Sequence, residues 1–287
     1  MTTPATVQTT HVSDKSCAPY ALYDMHLHLD LCNNPTRIVA DAQRLHLAFF
    51  AVPVTPQSSQ SCITQMQAAN KTCASNVRIG IGAHPWWIAD GSISQSDIDA
   101  ACLLIAQHRF VGEIGLDFSP KHVDLASKDK QIAAFTQLCH AAARASRARN
   151  QSRVLSIHAV QSAPEVMTIL EQTGALSSCI CIFHWYSGPS DTLHTAVTNG
   201  CLFSINPMML ATKRGREYAR QIPVTQLLTE TDLPAPHHTN LTAQEIADAL
   251  TQTIRHIAHI RGVEALALQA QLAHNAANVF ASTVGGE

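Results

Sequence analysis

Apolar and polar positions alternate in blocks along this chain. Short runs dense in Val, Ile, Leu, Phe and Ala recur, each followed by a longer stretch whose apolar residues return at helical spacing. YDMHLHLD (Tyr23 to Asp30) is the first run, and helix-start signals at Asn33-Asn34-Pro35-Thr36 lead into RIVADAQRL. LAFFAVPVT (Leu47 to Thr55) is continuously apolar and bounded by proline, as a strand buried on both faces would be, and a helix is expected over Thr64 to Ser75. VRIGIGAHP (Val77 to Pro85) precedes the helical SQSDIDAACLLIAQH, and FVGEIGLDF (Phe110 to Phe118) precedes a helix over Lys128 to Asn150. VLSIHAV (Val154 to Val160), CICIFHW (Cys179 to Trp185) and CLFSINP follow in the same rhythm. LLTETDLP (Leu227 to Pro234) is the eighth run, and two helices, Thr242 to Ile260 and Glu264 to Phe280, complete the pattern.

This alternation predicts an α/β fold on a parallel sheet. A doubly wound open sheet would satisfy it, but the polar residues favour a TIM-type (β/α)8 barrel. They fall at the C-terminal ends of runs 1, 3, 4, 5, 6 and 8, which an open sheet would spread along a line and a closed ring brings together. Residues 1–20, rich in Thr, Ser and Pro, are expected to be a flexible tail. Residues 21–282 are expected to form one barrel, with 283–287 a short polar tail.

His26 and His28, two apart in a strand, share one face. In a chain with 16 histidines a single His-x-His says little, so the remaining strand ends carry the argument. His84 ends the third run, His158 the fifth and His184 the sixth, while Glu230 and Asp232 share a face of the eighth. Glu113 sits inside an apolar strand between Gly112 and Gly115, where an unpaired charge costs several kcal/mol. His26, His28, Glu113, His158, His184 and Asp232 therefore form a candidate metal site.

Six donors are too many for one ion with an open position, so two divalent ions about 3.5 to 4 Å apart, bridged by a carboxylate, are expected. Glu113 is the natural bridge. His26, His28 and Asp232 would complete one ion, and His158 with His184 the other; Asp232 is also placed to accept a proton from water. Mixed imidazole and carboxylate donors suit Zn or Mn better than Mg. No lysine between Phe110 and Phe118 offers a carbamylated bridge. Asp24 and Asp30 are candidates for orienting the imidazoles.

The formal charge of -2 argues against a broad basic surface for duplex nucleic acid. Lys213, Arg214, Arg216 and Arg220 follow the seventh run; facing the barrel mouth they would hold phosphates, and otherwise they form a solvated helix face. Trp86 and Trp87 either stack on a base or pack under their loop. The nine cysteines are scattered without paired zinc-site spacing, so reduced thiols in a cytoplasmic protein are expected. No long apolar run or secretory pattern suggests a membrane.

YDMHLHLD, GIGAHP, VGEIGLDF, SIHA, HWYSG and LLTETDLP resemble the successive signatures of the TatD family of metal-dependent deoxyribonucleases, from Tyr23 to about Phe280. Within that family, HLDLCNNP, SIHA, HWYSG and INPMMLATKRGR are most similar to the TatD-like nuclease of the Qat antiphage defence system. The resemblance implies hydrolysis of DNA phosphodiester bonds, often by single-strand trimming from the 3′ end, with other Qat proteins as partners. It carries the six ligands onto the residues named above. It also implies His84 as a phosphate-facing or supporting group, and Glu230 as a second carboxylate that orients water or holds a further ion. Val160 stands where the family commonly has arginine, and Tyr186 replaces the usual phenylalanine of its FSG motif, its hydroxyl either inert or reaching a base. Two other readings fit the same residues: a binuclear hydrolase of small amides, lactones or phosphoesters, and a defence-complex subunit that binds a nucleic acid end without turnover.

Overall fold

A computed structural model describes residues 19–69, 76–120 and 124–281. The expected terminal tails fall almost entirely outside these residues, as does the end of the helix expected to reach Ser75. The strands are β1 (Leu22–Leu27), β2 (Leu47–Ala51), β3 (Val77–Ile79), β4 (Phe110–Asp117), β5 (Val154–Val160), β6 (Ile180–His184), β7 (Leu202–Ile205) and β8 (Leu227–Thr229). Between and after them lie α1 (Pro35–Arg44), α2 (Pro56–Ala69), α3 (Pro85–Ala89), α4 (Gln95–Gln107), α5 (Leu125–Ala148), α6 (Ala163–Gln172), α7 (Ala175–Ser178), α8 (Ser190–Thr198), α9 (Pro207–Ala211), α10 (Lys213–Gln221), α11 (Ala243–Arg261) and α12 (Ala265–Ala281). Helix starts follow local chemistry. Ser94, Asp124 and Thr242 close capping boxes on α4, α5 and α11, satisfying amide donors that the first turn leaves unpaired.

All the strand pairs are parallel, in ladders β1-β2-β3 and β4-β5-β6-β7-β8. The two ladders join into the expected barrel at two seams. Between β3 and β4 the contact is a lone bridge, Ala83 to Ile114, flanked by Gly112 N–H donating to Ile81 at 3.0 Å. Regular pairing stops at Ile79, earlier than the expected strand, because backbones meet there: a Cβ on Gly80 would lie 2.4 Å from the Cα of Gly112. Between β8 and β1 the seam mixes side-chain and backbone hydrogen bonds. Asp24 accepts from the Thr231 amide at 3.0 Å and from its hydroxyl, and the Asp232 amide donates to the His26 carbonyl at 3.0 Å.

Register sets which side chains enter the barrel. Residues paired across parallel strands share a face, and the slip between Val111 and Glu113 pairs Glu113 with Ser156, Gly115 with His158 and Asp117 with Val160. The irregularity thus turns Glu113 into the phase of His158. Gly115, at φ +146°, lets β5 close in: a Cβ there would sit 2.0 Å from the His158 carbonyl oxygen. Below the histidines, Phe50, Val154, Ile182 and Leu228 fill the barrel and meet Val279 and Phe280 of α12. Arg153, 1 % exposed, donates to the carbonyls of Ile105, Ala106 and Gln151 and ties the end of α4 to the start of β5. The seven cysteines among the described residues are free thiols, and no described helix is long and apolar enough to cross a membrane.

Candidate metal centre

The C-terminal strand ends bring the six expected residues to one point, with Glu113 at the middle. Its Oε2 faces His28 Nε2 at 3.5 Å and His26 Nε2 at 3.6 Å. Asp232 Oδ1 completes this group, 3.2 Å from His28 Nε2 and 3.7 Å from His26 Nε2. Glu113 Oε1 faces a second group, with His158 Nδ1 at 2.8 Å and His184 Nε2 at 3.1 Å, the two ring nitrogens 3.3 Å apart.

Whether a metal fits can be judged from the unpaired atoms. His26 Nε2 and Glu113 Oε2 are buried without hydrogen-bond partners, and polar atoms are rarely left so unless something else satisfies them. Metal–ligand bonds of about 2.0 to 2.2 Å place neighbouring donors of one ion roughly 3 to 3.5 Å apart, close to the spacing on both sides of Glu113. The residues therefore fit divalent ions, with the two oxygens of Glu113 turned one to each group.

The far nitrogens of His26, His28 and His158 are hydrogen-bonded, as suits imidazoles that would hold a metal, while that of His184 is buried without a hydrogen bond. His26 Nδ1 lies 2.7 Å from Ser156 Oγ, His28 Nδ1 is 3.0 Å from the Val52 carbonyl, and His158 Nε2 is 3.2 Å from Asp117 Oδ2. His184 Nδ1 faces Glu230 Oε1 at 3.5 Å. Asp24 and Asp30, expected to orient imidazoles, do not. Asp24, inside β1, accepts the His26 and Thr231 amides and Asp30 accepts the Val54 amide, so both carboxylates are occupied by backbone N–H groups. Asp117, whose carboxylate pairs with His158, was not singled out from the sequence. It lies four residues after Glu113 on the same inward face of β4, so strand alternation alone could have flagged it.

His84 Nε2 is 3.3 Å from Glu113 Oε1, yet its Nδ1 accepts the Trp86 amide at 3.1 Å. A neutral ring accepting at Nδ1 carries its proton on Nε2, so His84 presents an N–H to Glu113 and supports the centre. Glu230, expected to orient water or hold a further ion, is fully buried; it accepts from Ser204 Oγ and from Asn206 Nδ2 at 2.9 Å, and it faces His184. Strand β8 has already ended at Thr229, and Asp232 reaches the ligand group from a left-handed backbone (φ 59°).

Burial pushes the Glu113 carboxyl up, but His84 and His26 beside it and the hydrogen bonds of His158 and His184 hold it well below the usual carboxylate range. Burial, helped by the neighbouring His158 and His28 and opposed by Glu113, lowers His84 to about 4, leaving the ring neutral. His28 is raised to about 9 against the pull of burial, by its bond to Asp232 and by the charge of Glu113.

Above the centre opens a cavity of about 590 Å³ lined by Trp86, Trp87, Trp185 and Pro234 together with the ligand face. Val160 lines it where an arginine was the family expectation, and the described lining contains no Lys or Arg. Tyr186 does not reach a base: it is 1 % exposed and donates to the Pro189 carbonyl at 2.8 Å. Of the basic cluster, Arg216 donates to the Leu210 and Ala211 carbonyls and Arg220 pairs with Glu217, while Arg214 reaches the carbonyl of the cavity residue Ser187 at 3.1 Å.

A family model described as TatD related DNase matches residues 23–281. The chain is 24% identical over 198 residues to deoxyribonuclease TATDN3 of Homo sapiens, covering 64% of this chain and 69% of that protein. It is 26% identical over 196 residues to the uncharacterized metal-dependent hydrolase YabD of Bacillus subtilis, covering 63% and 72%. Among solved structures, a TatD family hydrolase from Entamoeba histolytica superposes with a TM-score of 0.74 at 15% identity, over 93% of this chain and all 100% of that one. The TatD homolog YJJV of Escherichia coli does so with a TM-score of 0.70 at 16% identity, over 89% and 96%; both likenesses concern the fold. Because the match runs from the first barrel strand to the last helix, this chain belongs to the family of TatD-related deoxyribonucleases and is a hydrolase.

Proposed function

We propose that the protein hydrolyses DNA phosphodiester bonds as a single-strand exonuclease working from the 3′ end. In this reading it uses two divalent ions (Zn, Mn or Mg) and acts in the cytoplasm beside the partner proteins of a Qat-type antiphage system. The observation that carries the chemistry is the division of Glu113, one oxygen facing His26, His28 and Asp232 and the other facing His158 and His184. Ions held there would lower the pKa of water and neutralise the non-bridging oxygens of a phosphodiester. Asp232 is the group to take the proton. Its side chain is 17 % exposed on the cavity side, and although burial pushes its pKa up, the His28 hydrogen bond and the field of His26 hold it down as a carboxylate. Ser156, Asp117 and Glu230 hold the imidazoles in place, and His84 keeps an N–H on the cavity wall. The Qat assignment is supported by the HLDLCNNP and INPMMLATKRGR segments.

Replacing His26 or Asp232 by alanine should abolish nucleotide release from a 3′-labelled single strand while circular dichroism stays unchanged. Undiminished release would overturn the reading. The lack of Lys or Arg in the described cavity lining favours one second reading, a binuclear hydrolase of small esters or lactones. Efficient turnover of such esters with no DNA cleavage would establish it.

A further inference from the structure

The protein contains three tryptophans, and all three line the one cavity above the metal centre. They are not equivalent. Trp87 is half-buried against the core, its ring centroid 4.9 Å from that of His84 and 6.3 Å from that of Trp86 in a stacked arrangement, so it backs its neighbour. Trp86 and Trp185 remain 37% and 36% exposed. The Trp86 indole is pinned: Nε1 donates to Asp117 Oδ2 at 2.6 Å, and Asp117 in turn holds His158. Its ring plane is thereby set by the same carboxylate that sets a metal ligand. Trp185 follows the ligand His184 directly and occupies φ +40°, a conformation costly for a bulky side chain and concentrated at functional sites. Two large apolar faces are thus held at the mouth of the reaction cavity.

The chemistry of the wall narrows what it takes. The described lining has no Lys or Arg, so away from the metal-holding residues a phosphate meets no cationic side chain. Flat π-faces instead suit a nucleobase, which stacks on aromatic side chains whatever its sequence. A cavity of about 590 Å³ is of ligand-pocket size. Positive charge begins outside, where Arg214 bonds the carbonyl of Ser187 on the cavity rim. We infer that Trp86 and Trp185 form a stacking slot for the unpaired terminal base of a nucleic acid strand, and that this slot, rather than a phosphate clamp, positions the strand end. The inference deepens the nuclease reading and rests on it. A base held in the slot cannot pair, so a duplex end must fray before it enters.

Because all the tryptophans lie in the cavity, their fluorescence reports only on this site. The test titrates the metal-free protein in EDTA with dT4 and with the same strand ending in an abasic tetrahydrofuran residue. The base-ended strand should quench and bind about 5- to 150-fold more tightly. Trp185→Ala should lose that preference and Trp185→Phe keep most of it, while circular dichroism confirms that both fold. With metal restored, the same factor should appear in KM, with kcat little changed. Equal affinity for the two strands, or an unaltered preference in Trp185→Ala, overturns the slot. Cleavage without discrimination removes the slot and leaves the nuclease reading intact; discrimination by a protein that cleaves no strand supports the slot and refutes the nuclease.

Discussion

Glu113→Gln is the sharpest perturbation of the centre, because it removes one charge without changing side-chain volume. Glu113 Oε1 meets His158 and His184 at 2.8 and 3.1 Å, and Oε2 meets His28 and His26 at 3.5 and 3.6 Å. An amide would turn one oxygen into an N–H₂ that points at bare ring nitrogens and serves at most one group. Structural zinc bound through four ligands is worth roughly 10 to 16 kcal/mol, or about 3 kcal/mol per ligand. A bridge that serves only one group costs the pair one ligand, ~3 kcal/mol or about two orders of magnitude in retention of the second ion. The assay is elemental analysis after gel filtration, followed by cleavage of labelled single strand across a titration of Mn and Zn. The variant should carry fewer than two ions and need far more metal for any activity. Two retained ions with wild-type turnover would refute the bridging role of Glu113.

Metal binding should also release protons. His28 is raised to about 9, so below that pH its ring is protonated in the metal-free protein, whereas a ligand must be neutral. Affinity should then rise with pH up to about 9, by as much as one decade per unit for each proton displaced; calorimetry in two buffers of different ionisation heat counts those protons. Glu230→Gln, which loosens the group facing His184 Nδ1, should lower metal affinity or kcat by about 10- to 100-fold without altering the slot. Arg153→Met removes donors to three carbonyls at the opposite end of the barrel. It should cost about 2 to 4 kcal/mol in thermal or urea unfolding while leaving kcat unchanged.

Much of this molecule was determined by sequence alone. Strand runs ending in His26, His28, His158 and His184, and a carboxylate in the apolar run around Glu113, required a converging barrel end, because period-2 geometry and the cost of a buried charge act residue by residue. The helix Pro56–Ala69 starts eight residues earlier than Thr64, the expected start, since its first turns carry few apolar residues and show little helical period. What the tertiary structure decided concerns orientation. Which nitrogen of His84 is bare depends on the Trp86 amide, Glu230 turns to His184 because Ser204 on β7 and Asn206 just after it hold it, and Asp232 reaches the centre through a left-handed turn. Each of these depends on a partner distant in sequence or on a single backbone angle, and hydrophobic pattern encodes neither.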